Sequence, residues 1–301
     1  MGALDFHFAP AQPAVSDRVS DRVAVELERG SSNVLWATMA RAVGGECQNF
    51  SLPLLHGLRE LLHVMRENSV HWSCDGQMAP VHYMVLKSAH PDYFSLGGDL
   101  RHFRSCIKRK DRDGLFQYSR LCLDIMYGWA TSLNNHATTI ALVQGRALGG
   151  GFEAALSADY LIAEEHSEFG FPEILFGLFP CTGGMSLLAR RVGVYAAERM
   201  MIDGRIYSAA ELKERGVVDE ICPRGEGTLA VNRFIANHGK HRNARLTLQR
   251  ARHRVAPLDY RELLTVVEEW VEAAMDLADA DLKVMDMLVR LQGNAQPLAS
   301  R

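Results

Sequence analysis

The chain has 301 residues, of which 48% are hydrophobic and 23% are charged, and its 33 basic and 36 acidic residues give a formal charge of −3 at pH 7. This balance gives no overall electrostatic reason to bind nucleic acid or an anionic membrane. The 6 cysteines lie far apart without a CxxC pair, so neither a metal site nor a disulfide framework is predicted, and a reducing cytoplasm is the expected location.

The N-terminal residues 1–22 are predicted to form a weakly structured, flexible extension. Two prolines and the polar near-repeat SDRVSDR lie there, and such termini are ordered only when they are tied down. The extension lacks the basic start and apolar core of a secretory signal. No later segment reaches the ~18 uninterrupted apolar residues of a membrane span. We therefore expect no membrane span and an ordered chain that begins at residue 23.

Residues 23–225 alternate between strand-like and helix-like segments. A predicted β-hairpin joins VAVELERG to NVLWATMAR through a Gly-Ser-Ser turn. Apolar residues at helical spacing predict helices in LPLLHGLRELLHVMREN, LRHFRSCIKRK and LFQYSRLCLDIMYGWATSL. Strand patterns occur in VHYMVLKS, TTIALVQG and YLIAEE. This alternation predicts α/β units around a mostly parallel sheet.

The pattern changes in the last part of the chain, residues 226–301. Glycine becomes scarce there, and amphipathic helical runs dominate, notably DYRELLTVVEEWVEAAMDLADADLKVMDMLVRLQ. The change predicts a C-terminal helical region. Such a layer covers the core, contacts another subunit, or does both.

Two glycine turns lie between a predicted strand and a predicted helix. The first places Gly97 and Gly98 in FSLGGDL, and the second places Gly149–Gly151 in GGGFE. Glycine turns at helix starts present unobstructed amides and favour negative charge, so the pair suits an oxyanion. The alternative is that these glycines only let a strand and a helix pack closely. Dinucleotide binding is excluded, because the GxGxxG spacing is missing.

Two acids, Glu153 and Glu173, stand in apolar surroundings. Each taken alone is explained as an acid at the start of a helix. Together with their apolar neighbours, such as Phe152 and Phe171, they predict a carboxylate pair in one desolvated pocket. Burial and mutual repulsion would raise the pKa of at least one of them. The resulting acid and base suit the addition or removal of water at a C–C double bond.

A basic run, RHFRSCIKRKDR, directly follows the first glycine turn. It would meet either the acidic surface of a carrier protein or the phosphate of a phosphopantetheine group. A solvated helix face is the alternative. A second basic run, KHRNARLTLQRARHR, is open to the same alternatives, and neither predicts nucleic-acid binding in a chain with net negative charge.

The chain resembles the crotonase (enoyl-CoA hydratase/isomerase) superfamily in four successive segments: FSLGGDL, VQGRALGGGFEAALSADYLIA, EFGFPEILFGLFP and GRIYSAAELKERGVVDEI. The resemblance covers roughly residues 30–225. It implies a crotonase-type spiral of ββα units, an oxyanion hole from the amides of Gly98 and Gly150, and catalytic glutamates Glu153 and Glu173. It also implies a homotrimer or a dimer of trimers. No cofactor is expected.

Within the superfamily, the N-terminal extension, the aromatic EFGFPEILFGLFP run and the acidic C-terminal helix resemble bacterial synthases of diffusible signal factor. That resemblance implies a dual dehydratase and thioesterase, which converts a 3-hydroxyacyl thioester on acyl carrier protein to a cis-2-unsaturated free fatty acid for quorum sensing. It makes Trp270 and Leu288 candidates for the lining of an acyl tunnel, although a core position on a helix face is the alternative for each. Cys181 departs from the pattern, since many relatives carry glycine there.

Two other functions stay open at this point. An ordinary enoyl-CoA hydratase of fatty-acid oxidation would prefer a coenzyme A ester and give a trans product. A crotonase-fold interaction module would act through a partner, with the receiver domain of a sensor kinase as the candidate. Intact glutamates at both positions argue against an inactive scaffold.

Overall fold

The computed structural model describes residues 16–42, 48–131, 133 and 136–293. The bounds of its strands are β1 Ser16–Ser20, β2 Val23–Glu28, β3 Val34–Met39, β4 His71–Cys74, β5 Gln77–Pro80, β6 Tyr83–Ser88, β7 Tyr93–Ser95, β8 Thr138–Val143, β9 Arg146–Leu148, β10 Tyr160–Glu164, β11 Glu168–Gly170, β12 Ile206–Ser208 and β13 Glu220–Cys222.

Helices pack around these strands, and their bounds are α1 Leu52–Glu67, α2 Leu100–Arg109, α3 Arg112–Thr131, α4 Gly150–Leu156, α5 Gly184–Val192, α6 Val194–Ile202, α7 Ala209–Glu214, α8 Gly227–Gly239, α9 Arg242–Val255, α10 Tyr260–Met275 and α11 Asp279–Gly293. A short 3₁₀ helix, Pro172–Phe176, lies between β11 and α5. The last four helices fall within the region for which the sequence predicts a helical layer.

The strands form a larger sheet, a smaller sheet and the two-stranded hairpin β4-β5. The larger sheet has the order β1-β2-β3-β6-β8-β10-β13, and the smaller has the order β12-β11-β9-β7. In the larger sheet β1, β2 and β3 pair antiparallel, and from β3 onward the strands are parallel. The chain runs from β6, β8 and β10 of the larger sheet into β7, β9 and β11 of the smaller, and then returns through helices. This topology confirms the predicted α/β class and the spiral of ββα units.

Both faces of the larger sheet are covered. All six residues of β8 are buried, as expected for a central parallel strand. One apolar cluster contains the buried face of α1, whose members recur at helical spacing, and the second lies between the sheet and α8. Trp270 belongs to the first cluster and Leu288 packs against it, and residues of α3 and the C-terminal helix α10 are also members.

Strand β1 (Ser16–Ser20) lies within the stretch 1–22 that the sequence predicts as an N-terminal extension. Strand β1 pairs with β2 in antiparallel register, because β2 offers it the unpaired edge of the sheet. Residues 1–15 of the extension lie outside the described residues. Within the described part of the chain, none of the helices combines the length and the apolar character needed to cross a bilayer.

Candidate active site

A cavity of about 370 Å³ lies between α3, the two glycine turns and the C-terminal helices. Its wall is mainly apolar, and it brings together all of the sequence-predicted site residues: Gly98, Gly150, Glu153, Glu173, Trp270 and Leu288. The size is within the range of small-molecule sites. The cavity can therefore hold an apolar ligand beside two carboxyl groups.

The two glycine turns abut each other. Gly97 has a φ of +89°, and a β-carbon there would lie 2.7 Å from the carbonyl oxygen of Leu148 and 3.1 Å from the amide nitrogen of Gly150. The amide nitrogen of Gly98 lies 3.6 Å from the β-carbon position of Gly150. Only glycine permits this approach. Gly150 begins α4, where first-turn amides have no partner within the helix.

Glu153 lies in the first turn of α4 and is 2% exposed. Its Oε1 accepts hydrogen bonds from the amides of Thr182 and Gly184, both at 2.8 Å, and its Oε2 accepts one from the Thr182 hydroxyl at 2.5 Å. Burial raises the pKa of Glu153, while these three hydrogen bonds oppose the rise. The two amides can only donate, so they favour the ionised carboxylate.

Glu173 follows Pro172 at the start of the 3₁₀ helix and lies beside Gly149, where a β-carbon would collide with its carboxylate. Its Oε2 is shielded from solvent and has no hydrogen-bond partner among the described residues. Burial, and then the charge of Glu153, raise the pKa of Glu173 to about 8. Near neutral pH Glu173 is therefore mostly protonated.

The pair thus offers one proton donor and one proton acceptor on the same cavity. That combination supports proton transfer to and from a bound molecule near neutral pH. Among the described residues, no group of three or more His, Cys, Asp or Glu side chains is placed to hold a metal ion.

Glu173→Gln is expected to flatten the pH dependence of the free energy of unfolding between pH 4.5 and 8. The folded chain holds the Glu173 proton up to a pKa of about 8, against an ordinary value of 4.5. The stability from this proton is complete below pH 4.5 and is lost as pH rises through 8, at roughly 1.4 kcal/mol per pH unit in that window. Urea unfolding at four pH values measures the slope.

The control for this experiment is Glu67→Gln, which alters an exposed glutamate of α1. It removes the same charge from the chain at a position that does not line the cavity. An unchanged slope in Glu173→Gln would show that Glu173 titrates alike in the folded and unfolded chain.

Trp270 and Leu288 reach the cavity from the C-terminal helices. Trp270 of α10 is 2% exposed, and its ring packs edge to face with Phe103 at 5.1 Å between centroids. Leu288 lies on α11 and lines the same cavity. The sequence left open whether Trp270 is a core residue or lines the cavity. In the structure Trp270 does both.

Cys181 also lines the cavity. Burial, together with the nearby carboxylates, raises the pKa of its thiol well above the usual range. The thiol is therefore neutral and a poor nucleophile.

In the basic run after the first glycine turn, Arg104 forms an ion pair with Asp286 of α11, which joins α2 to the last helix.

Sequence reasoning missed Thr182 and Gly184, the hydrogen-bond partners of Glu153. The signal was a third glycine turn, CTGG, at the start of α5, which resembles the two that were used. Its amides point to the Glu153 carboxylate rather than to a ligand.

Comparison with known proteins gives consistent matches. Residues 75–252, more than half of the chain, match the family model described as enoyl-CoA hydratase/isomerase. The chain is 36% identical over 126 residues to a probable enoyl-CoA hydratase of Rhizobium meliloti, a match that covers 42% of this chain and 49% of that protein. The chain spans about half the length, or less, of the curated relatives it matches.

Solved structures share the fold at low sequence identity. An enoyl-CoA hydratase from Bacillus halodurans has a TM-score of 0.69 at 20% identity, covering 88% of this chain and 99% of that one. The ECH2 decarboxylase domain of CurF from Lyngbya majuscula has a TM-score of 0.65 at 19% identity, covering 88% and 98%. The same fold thus occurs in proteins named for different reactions, so the reaction has to be argued from the site.

Proposed function

This chain belongs to the enoyl-CoA hydratase/isomerase family, and from that premise we propose that it is an enzyme that eliminates water from a 3-hydroxyacyl thioester. The observation that carries the proposal is the pair Glu153 and Glu173. The two carboxyl groups share one cavity, and their surroundings favour a carboxylate at one and a carboxylic acid at the other. Elimination needs both forms at once.

The amides of Gly98 and Gly150 are the proposed oxyanion hole. Removal of the C2 proton of a thioester places negative charge on the carbonyl oxygen, and two fixed N–H donors stabilise that charge. The adjacency of the two turns supports this role. In the step itself one glutamate takes the C2 proton, the C2–C3 double bond forms, and the C3–O bond breaks. The other glutamate gives its proton to the departing hydroxyl, which leaves as water.

The proposed product is a cis-2-unsaturated free fatty acid, a diffusible signal factor of quorum sensing, made from an acyl carrier protein thioester. Release of the free acid requires a second step, in which a carboxylate takes a proton from water, the water oxygen bonds to the carbonyl carbon held by the same two amides, and the C–S bond breaks. The carrier thiol leaves with that proton. The apolar cavity beside the glutamates supports a fatty acyl substrate, with Trp270 and Leu288 as its acyl-binding wall. The presence of both glutamates and the motif resemblance support the reaction.

An ordinary enoyl-CoA hydratase is the second candidate. The specific observation in its favour is the name of the matched relative from Rhizobium meliloti, a probable enoyl-CoA hydratase. The same two glutamates and two amides would catalyse water addition to a coenzyme A ester. The two candidates differ in carrier, in product geometry and in release of the free acid.

The purified chain is expected to convert 3-hydroxydodecanoyl acyl carrier protein to a free cis-2-dodecenoic acid. Mass spectrometry of the extract, with chromatographic separation of cis and trans isomers, measures the product, and 3-hydroxydodecanoyl coenzyme A is assayed in parallel. A trans-2-enoyl thioester formed only from the coenzyme A ester supports the hydratase instead. No turnover of either ester contradicts both candidates.

A further inference from the structure

Tyr118 lines the cavity, and its hydroxyl group is bonded beside the glycine turn that carries Gly98. Tyr118 belongs to α3 and is 2% exposed. Its hydroxyl donates a hydrogen bond to the carbonyl oxygen of Phe50 at 2.5 Å and accepts one from the amide of Asp99 at 3.0 Å. One side chain therefore joins two backbone segments on either side of the turn.

Phe50 is itself bonded to the same turn. Its amide donates to the carbonyl oxygen of Gly97 at 2.9 Å, and it forms a parallel β-bridge with Gly98. The hydroxyl of Tyr118 thus completes a ring of hydrogen bonds that runs through Phe50 and Gly97 and returns through Asp99. Gly98 is one of the residues that close this ring through the backbone. The amides of Phe50 and Asp99 donate within the ring, whereas the amide of Gly98 does not take part in it.

The aromatic ring of Tyr118 is also held in place, by packing against two neighbouring rings. The ring stacks on His102 at 5.0 Å and meets Phe103 edge to face at 5.1 Å. Phe103 also presses on Gly98, since a β-carbon there would lie 2.5 Å from its ring. Burial raises the pKa of the Tyr118 phenol well above its usual range, so the hydroxyl keeps its proton near neutral pH.

We propose that Tyr118 is a positioning residue that fixes the direction of the Gly98 amide in the oxyanion hole. The inference rests on the proposed function, because it assigns a task to that amide. A hydrogen bond weakens steeply as its angle departs from linearity, and an oxyanion donor stabilises the transition state only when it is aligned beforehand. Without its hydroxyl, Tyr118 would leave the carbonyl of Phe50 and the amide of Asp99 without this shared partner, and the side of the turn after Gly98 would lose one of its anchors.

The test measures how strongly the site polarises a bound carbonyl. The probe is an acyl pantetheine analogue in which CH₂ replaces the thioester sulfur, so that the protein cannot hydrolyse it. Its carbonyl carbon is ¹³C, which separates its infrared band from those of the protein. Its infrared carbonyl stretch is expected to fall on binding to the unmodified chain. In Tyr118→Phe the analogue should still bind, but most of this fall should be lost. A role in stability alone would not change the stretch.

The matched control is Tyr83→Phe. Tyr83 is fully buried and its hydroxyl is paired with His238 at 2.9 Å, on the other face of the larger sheet. Both variants lose one buried hydroxyl, so comparable drops in melting temperature are expected, but Tyr83→Phe should keep the full carbonyl shift. Turnover should separate them as well, with kcat about tenfold lower in Tyr118→Phe and KM within about twofold.

Each outcome is decisive. A carbonyl stretch in Tyr118→Phe equal to that of the unmodified chain overturns the inference and leaves the proposed function in place. If the unmodified chain binds the analogue without any shift, the proposed oxyanion hole is wrong and the inference falls with it. If Tyr118→Phe does not fold, Ser95→Ala replaces it, because the Ser95 hydroxyl accepts from Gly97 at 3.2 Å and anchors the same turn. It too must lose part of the shift.

Discussion

Glu153→Gln and Glu173→Gln are each expected to lower kcat for water elimination by about 10²- to 10⁴-fold. Glutamine keeps the shape of the side chain but neither donates a proton as an acid nor accepts one as a base. Because elimination uses an acid and a base in the same step, loss of either is sufficient. The double variant should therefore be little worse than the single ones, as is usual for residues that act as a unit.

The structure predicts that both variants fold. In Glu153→Gln the amide oxygen can accept from Thr182 and Gly184 as Oε1 does now, and the new NH₂ group can donate to the Thr182 hydroxyl. In Glu173→Gln a neutral group replaces one that is already protonated near neutral pH. Circular dichroism spectra and melting curves check this. Lost activity with an intact fold is then a chemical effect.

Initial rates with a 3-hydroxyacyl thioester, followed by loss of substrate, give kcat and KM for each variant. KM should change much less than kcat, since the carbonyl and the acyl chain are held by other groups. A folded Glu153→Gln or Glu173→Gln protein with kcat within tenfold of the unmodified chain would remove that glutamate from the mechanism. Retention of activity in both would leave the family fold without the proposed reaction.

The parts of this site that could be predicted from sequence are local ones. Gly149–Gly151 and Glu153 occupy one turn and the helix start that follows it, and Glu173 directly follows a proline that starts a helix. Such features need only backbone chemistry to be interpreted. Their assembly into one cavity was inferred from their shared apolar surroundings and from the family resemblance, because spacing along the chain does not fix distance in space.

The environment of Glu153 could not be predicted in the same way. Its donors Thr182 and Gly184 lie 29 and 31 residues later in the chain, and they reach it only because α5 packs against α4. If these donors are left out of account, nothing in the sequence distinguishes the pKa of Glu153 from that of Glu173, because each is an acid in an apolar run. Tertiary hydrogen bonds oppose the rise in the pKa of Glu153, whereas burial and the charge of Glu153 raise the pKa of Glu173 to about 8.

Strand prediction failed for a related reason. Five of the strands, β7, β9, β11, β12 and β13, have three residues each, which is too short for an alternating pattern to stand out. They exist because neighbouring strands pair with them in the smaller sheet or at the edge of the larger one. The longer strands β6, β8 and β10 were predicted correctly, since their apolar runs are visible in sequence alone.

Gly97→Ala is expected to lower kcat by about 10²- to 10³-fold, the loss typical of a missing oxyanion donor. A methyl group on Gly97 would lie 2.7 Å from the carbonyl oxygen of Leu148 and 3.1 Å from the amide nitrogen of Gly150. Neither atom belongs to a flexible side chain, so the two glycine turns must separate. Separation moves the amides of Gly98 and Gly150 apart, and one carbonyl oxygen can no longer accept from both.

The backbone cost of the same substitution has to be distinguished from this effect, because Gly97 has a φ of +89°, which alanine adopts only with strain. Gly76→Ala supplies the match. Gly76 has a φ of +73° in the turn between β4 and β5, and a β-carbon there meets nothing within 4 Å. Both variants should lose about 1 kcal/mol of stability to backbone strain, but only Gly97→Ala should lose turnover. Equal kcat in the two would mean that the approach of the turns does not hold the carbonyl, and that the charge formed on it is stabilised elsewhere in the cavity.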